Sequence, residues 1–321
     1  MFRRVDKLHI LIGALLCVVI GFVLHAQQGA RPAAYFHLKS PRQILAEPQP
    51  WEGMQAPHTL SVLEMNREGF RYWGWYGLNE GKGIGLARSN DLVNWTKYDQ
   101  NPLWTNARWP SVVAHADPNQ ADLLYFAITR NYDTPSSYIV LASSSDGIRL
   151  KEEKVLVQAV PNQRNQNPNL FHDPRSGRFY LTFYRGNDHD DFAIISKSAE
   201  TVIDLDRAPE KILLRSQATL AAPTLLYAER PGRKKIGIYY LATETYPNRY
   251  ANTPESEWQV EVYAAEAPDG EFEPVEGNPV MRRQRACLFQ HIFDGKFYGY
   301  DCHVEGDKWT MDVVEADWPS D

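Results

Sequence analysis

Cationic excess is what this chain of 321 residues most plainly lacks: 34 Lys and Arg stand against 40 Asp and Glu, a formal net charge of −6 with a pI near 5.9. A sequence-independent nucleic-acid binder needs a basic surface to displace counterions, so nucleic acid is not an expected partner. A Gly-rich phosphate loop is also missing. The cluster Gly81-Lys82-Gly83-Ile84-Gly85 falls in a hairpin between strands instead of opening a helix, which makes it turn chemistry. No nucleophile elbow is present. His172-Asp173 and Asp188-His189-Asp190 supply metal-ligand types without a zinc or EF-hand spacing, so neither a metal nor a cofactor is expected.

What the chain does have is aromatic and turn-rich. Aromatic residues make up 12%, charged residues only 23%, and there are 20 glycines and 21 prolines, a globular composition suited to many short strands joined by turns. All-β folds of this length commonly form one domain.

The N-terminus is different in kind. Arg3, Arg4 and Lys7 precede an apolar run from Leu8 to Leu24 broken only by His9, the pattern of an export signal or anchor. At about 1.5 Å per residue a helix over this run just crosses a hydrocarbon core of about 30 Å. Leu24-His25-Ala26 lacks a clean Ala-x-Ala, and Leu15-Leu16-Cys17 lacks the small residue expected before a lipidated cysteine, so an uncleaved anchor is favoured over a cleaved signal. The basic flank places Met1 in the cytoplasm and the rest in the periplasm or extracellular space. The expected organisation is an anchor or signal over 1–27, a linker with a ring-closing strand over 28–50, and one globular domain over 51–321.

Within that domain one pattern returns every 50 to 60 residues or so, the mark of propeller blades in an all-β chain. Each unit opens on a short apolar strand, usually at a proline: Ala56-Pro57-His58-Thr59-Leu60, Trp109-Pro110-Ser111-Val112-Val113, Asn167-Pro168-Asn169-Leu170-Phe171, Ala222-Pro223-Thr224-Leu225-Leu226, and Ala286-Cys287-Leu288-Phe289 without one. An aromatic strand follows each time, as in Phe70–Tyr76, Leu124–Ala127, Phe179–Tyr184, Ile238–Leu241 and Phe297–Tyr300. Third strands are legible at Ile84–Ala87, Ile139–Ala142, Phe192–Ile195, Val260–Tyr263 and Trp309–Val313. Five units predict a five-bladed β-propeller, with the aromatics packed between blades. No fourth strand follows Trp309–Glu315, so residues near Tyr35–Leu45 are expected to complete the last blade.

Two cysteines fall in the fifth unit. If Asp294-Gly295 is a two-residue turn, Cys287 and Cys302 face one another across the hairpin, in a compartment where disulfides persist. They fall on a hydrogen-bonded pair, where bridging is less usual, and both the bridged and the reduced states stay open.

The stretch Gly85-Leu86-Ala87-Arg88-Ser89-Asn90-Asp91-Leu92-Val93-Asn94-Trp95, followed by Asn101-Pro102-Leu103, resembles the first blade of the arabinanase, xylosidase and invertase-like glycoside hydrolases. The likeness spans roughly Gly53 to Glu315 and implies a five-bladed propeller with an axial active site. Glycoside hydrolysis ordinarily takes one carboxylic acid to protonate the leaving oxygen and one carboxylate to activate water or attack the sugar. In the family pattern an acidic residue stands before proline in the inner strands of the first and third blades, and near the equivalent proline of the fourth. Here those positions read Ala56, Asn167 and Ala222, so the standard chemistry is expected to be lost.

Glu52, Asp188 and Glu244 are the acids that could stand in. Around the inner strands the sequence offers His58, Arg108, Asn167, Asn169 and Arg285 as hydrogen-bonding groups, with Trp75 and Trp109 as stacking faces for a sugar. The expected role is therefore a non-catalytic, membrane-anchored propeller, an accessory subunit of a membrane complex or a carbohydrate-binding module. The competing expectation is a glycosidase acting on furanosides or related glycans through non-standard acids. Expected partners are the membrane through residues 8–24, a membrane-protein complex and a glycan.

Overall fold

The computed structural model describes residues 37–53, 57–78, 83–120, 122–132, 134–187, 192–216, 218–229, 237–246, 258–282, 291–293, 295–305 and 308–317. The expected anchor over 8–24 lies outside them. Among the described residues no helix is long and apolar enough to cross a membrane.

The chain forms five antiparallel sheets in sequence order, the blades of a β-propeller. Blade I holds Pro57–Arg67, Phe70–Leu78, Gly83–Ser89 and Trp95–Lys97, with Trp104–Thr105 beside the third strand. Blade II holds Arg108–Ala114, Leu124–Arg130, Tyr138–Ser144 and Lys151–Val157. Blade III holds Arg164–His172, Phe179–Gly186, Phe192–Ala199 and Glu210–Ser216. Blade IV holds Thr219–Glu229, Gly237–Tyr246 and Gln259–Ala265, with Glu273–Pro274 and Met281–Arg282 both pairing its third strand.

Blade V closes the ring with chain from both ends. His291–Phe293, Lys296–Glu305 and Lys308–Asp317 form its hairpins, and His37–Leu38 and Arg42–Ile44 pair with the last of these. Glu315 ties the closure, accepting from Lys39 and Lys296 at 2.7 Å each. Phe293 pairs with Lys296 at the end of the first hairpin, and Gly295 between them takes a φ of 75°, which glycine adopts without strain. The expected inner segment Ala286–Phe289, with Cys287, lies outside the described residues. Cys302 is buried, its Sγ donating to the His58 carbonyl at 2.9 Å, so the thiol touches blade I across the seam.

Alternation along each strand explains how the blades stack, since neighbouring side chains leave on opposite faces. In the second strand of blade I, Trp73 and Trp75 pack against Phe126, Ile128 and Val140 of blade II. Tyr72 and Tyr76 point the other way, into the cluster holding Tyr300, Cys302 and Val313 of blade V. Blade II repeats the division, Ile139 and Leu141 packing with Leu181 and Phe183 of blade III while Val140 and Ala142 face blade I. Aromatic side chains bury large areas each, so the aromatic second strands act as inter-blade mortar.

The turns after the third strands of blades I and II share one device. Asp91 Oδ1 accepts from the amides of Val93 and Asn94 while Ser89 Oγ accepts from Leu92. In blade II, Asp146 Oδ1 accepts from Ile148 and Arg149 while Ser144 Oγ accepts from Gly147. Desolvation alone would raise the Asp146 pKa, but those amides outweigh it and hold the carboxyl well below the usual range.

Candidate functional site

The inner strands of blades II, III and IV begin with the same local distortion. Trp109, Asn167 and Ala222, each directly before a proline, take φ of 59°, 54° and 49°. Proline has no N–H to donate, and its ring disfavours helical conformations in the preceding residue. The ladder slips at the same places, between Arg108 and Ser111, Gln166 and Asn169, and Ala221 and Thr224. A left-handed non-glycine residue costs about 1–2 kcal/mol, so three repeats of the arrangement mark it as built in, and such bulges re-aim side chains. Blade I slips between Pro57 and Thr59, and Ala56 before it lies outside the described residues.

These distortions bring Trp109, Pro168, Asn169, Ala222, Thr59 and Ser111 around one axial space. Its volume is only about 20 Å³, room for roughly one water and far below the roughly 300 Å³ at which ligand pockets begin. Further along the same inner strands the axis widens to a cavity of about 290 Å³ lined by Ser61, Ser111, His115, Asn169, Phe171 and Leu225, among others.

The expected sugar-facing residues are mostly occupied with packing. Trp75 does not offer a stacking face: it is fully buried against Phe126, and its indole N–H donates to the Gly147 carbonyl at 2.8 Å, joining blades I and II. Arg108 is buried with its guanidinium 3.7 Å from the Tyr132 ring centroid and 5.7 Å from that of Trp109. That stacking is a cation–π arrangement inside the fold. Trp109 is 6% exposed and its ring sits 4.9 Å from that of His58, which is itself buried. Asn167 is 3% exposed. Asn169 faces the axis, with Oδ1 accepting the Leu225 amide at 2.9 Å. Arg285 lies outside the described residues.

The neighbouring amides are also committed to structure. Gln166 donates to the Tyr132 carbonyl at 2.8 Å and accepts from the Tyr184 hydroxyl at 2.8 Å. Asn165 donates to the Gln158 carbonyl and accepts from Arg185.

Of the candidate acids, Glu52 is not at the axis chemistry. It is fully buried, and its carboxylate accepts from the Tyr76 hydroxyl at 2.6 Å, Lys97 Nζ at 2.7 Å and the Gln49 amide at 2.7 Å. Burial and the adjacent carboxylate push the Tyr76 phenol far above its ordinary value, and desolvation lowers that of Lys97. The cluster pins the segment before blade I onto that blade. Asp188 lies outside the described residues. Glu244 is 2% exposed and stands opposite Ala221 in the ladder, so the two side chains share a face.

An acid pair absent from the sequence reading lies in blade V. Asp301 and Asp312 are buried and directly opposite across the hairpin. Burial first, and the neighbouring Asp312 second, push the Asp301 carboxyl well above the usual carboxylate range. Extending the aromatic strand Phe297–Tyr300 by one residue and pairing it with the third strand Trp309–Val313 is the signal that finds it.

No known family profile matches the chain, and no characterised relative matches it by sequence. Solved structures do match by fold. A thermostable family-43 glycoside hydrolase superposes with a TM-score of 0.60 at 16% identity, covering 85% of this chain and 96% of that one. An exo-1,5-α-L-arabinanase from a bovine ruminal metagenomic library gives 0.56 at 16%, covering 82% and 94%. A β-fructofuranosidase from Schwanniomyces occidentalis gives 0.55 at 12%, covering 85% of this chain and 58% of that one. The architecture is thus the five-bladed propeller found in these glycosidases.

Proposed function

We propose that this chain is a non-catalytic propeller that keeps the glycosidase-like architecture without its proton-transfer groups, tethered outside the membrane by residues 8–24. It serves there as an accessory subunit of a membrane complex or as a carbohydrate-binding module. The observation that carries this reading is the axial construction: the positions where the resemblance places acids hold Ala56, Asn167 and Ala222, and the axial space that Ala222 lines measures about 20 Å³. None can transfer a proton as the family's acids do. A tether supports weak contacts with a membrane partner by raising local concentration.

A second reading, glycoside hydrolysis, is favoured by Glu244, a buried carboxyl opposite Ala221 beside the fourth inner strand, and by the glycosidase activities named for the structural neighbours. One experiment separates the two. The full-length chain, purified in mild detergent, is assayed on a panel of aryl glycosides beside Glu244→Gln, and its co-purifying proteins are identified. No turnover together with a stoichiometric membrane partner or saturable oligosaccharide binding is expected; turnover abolished by Glu244→Gln would overturn the proposal.

A further inference from the structure

The wider axial cavity lies away from the proline bulges, where the inner strands of blades I to IV run on past the narrow space. Three of its polar side chains share one property. Ser61 Oγ accepts the Val112 amide at 3.0 Å, Ser111 Oγ accepts the Leu170 amide at 2.8 Å, and Asn169 Oδ1 accepts the Leu225 amide at 2.9 Å. Each side chain uses its acceptor on the next blade and keeps its donor: two hydroxyl protons and an amide NH₂. Among the described residues no acceptor takes those donors, although Ser61 and Ser111 are only 6% and 5% exposed.

His115 adds a fourth donor of the same kind. Its Nδ1 accepts the Asp117 amide at 3.0 Å, so the proton of the neutral ring sits on Nε2. Among the described residues no Asp or Glu lines the cavity, while Leu63, Val113, Phe171 and Leu225 supply apolar wall. Buried donors without acceptors are costly to leave unmade, and a volume of about 290 Å³ is at the small end of ligand pockets.

We propose that this cavity is a binding site for a small monocarboxylate with an apolar body, its oxygens accepting from Ser61, Ser111 and Asn169 and its body resting on Phe171 and Leu225. The carboxylate follows from the donor surplus, since it accepts at both oxygens and donates nothing. The apolar body follows from the wall. Ser61, Ser111 and Asn169 border both spaces, but the proposal does not require the narrow one to hydrolyse or bind a glycan.

The test is a titration of the full-length chain in detergent with 4-fluorobenzoate, followed by ¹⁹F NMR, beside 4-fluorobenzyl alcohol as the neutral analogue of similar shape. Saturable binding of the carboxylate in the millimolar range or tighter is expected, with the alcohol about tenfold weaker or worse. Ser111→Ala should weaken the carboxylate by a similar factor. Ala114→Leu, which fills the cavity without touching the inter-blade bonds, should abolish binding while leaving the melting temperature near that of the parent chain. Absence of saturable binding, equal binding of the alcohol, or binding that survives Ala114→Leu would each overturn the proposal.

Discussion

The Ser111 hydroxyl of blade II accepts the backbone N–H of Leu170 in blade III at 2.8 Å, and the same bond recurs one blade earlier from Val112 to Ser61 and one blade later from Leu225 to Asn169. Inner strands of neighbouring blades do not share a ladder, so their axial N–H groups need a side-chain acceptor, and these three residues supply it. Ser111→Ala should leave the Leu170 amide buried without a partner and cost about 1–3 kcal/mol. Ser143→Ala removes an exposed hydroxyl that donates to Glu153 at 2.7 Å and should cost within about 0.5 kcal/mol. Urea unfolding of the two variants checks the contrast.

Glu52 separates a structural acid from a catalytic one. Removing its charge in Glu52→Gln leaves Lys97, whose side chain is 9% exposed, without its carboxylate partner. Breaking a buried pair from one side typically costs about 3–5 kcal/mol. A large fall in melting temperature is expected, and the double variant Glu52→Gln with Lys97→Met should recover part of it. A Glu52→Gln protein with parental stability would refute the structural assignment.

Asp301 gives a dependence on pH. Its folded pKa is raised by burial first and by Asp312 second, so the folded state holds the proton more tightly than the unfolded chain does. Its contribution to stability is complete below the unfolded carboxyl pKa of about 4 and is lost as pH rises toward the elevated folded value. Asp301→Asn, which stays neutral, should match the parent chain near pH 4 and exceed its stability at neutral pH and above. Denaturant midpoints measured across that range for both proteins would show the difference, and parallel curves would contradict it.

Much of this architecture is legible before any coordinates. The period of proline-led inner strands and aromatic second strands predicts five blades because each blade must bury two faces, and the sheets at Trp73, Phe126, Phe183 and Tyr240 follow that logic. The site was less legible, for a physical reason. A sequence shows that Trp75 and Arg108 are fit to meet a ligand, yet the same flat aromatic and planar cation serve equally well between blades, and they lie there. Asn169 has the groups to contact a ligand, and the strand pattern does not show that its oxygen is spent on Leu225. Asp301 carries no local sequence signal, because its partner Asp312 lies across a hairpin, not along the chain.

Ala222 tests whether the pre-proline geometry is architecture. At a φ of 49° and fully enclosed, it holds a conformation in which any Cβ is strained and a β-branched side chain is a gross outlier. Ala222→Gly removes the Cβ at the cost of unfolded-state entropy, two effects of about 0.5–1 kcal/mol that oppose each other, so its stability should stay close to the parent. Ala222→Val adds both strain and overpacking beside Leu226 and Ala242 and should cost about 3 kcal/mol or more. Placing valine instead at Ala228, in the same strand and also buried, brings overpacking without the left-handed strain, about 1–3 kcal/mol. A clear excess at Ala222 in denaturant unfolding would assign the difference to the backbone. Equal losses at the two positions would mean that the bulge relaxes on substitution and that the axial geometry is not fixed by this residue.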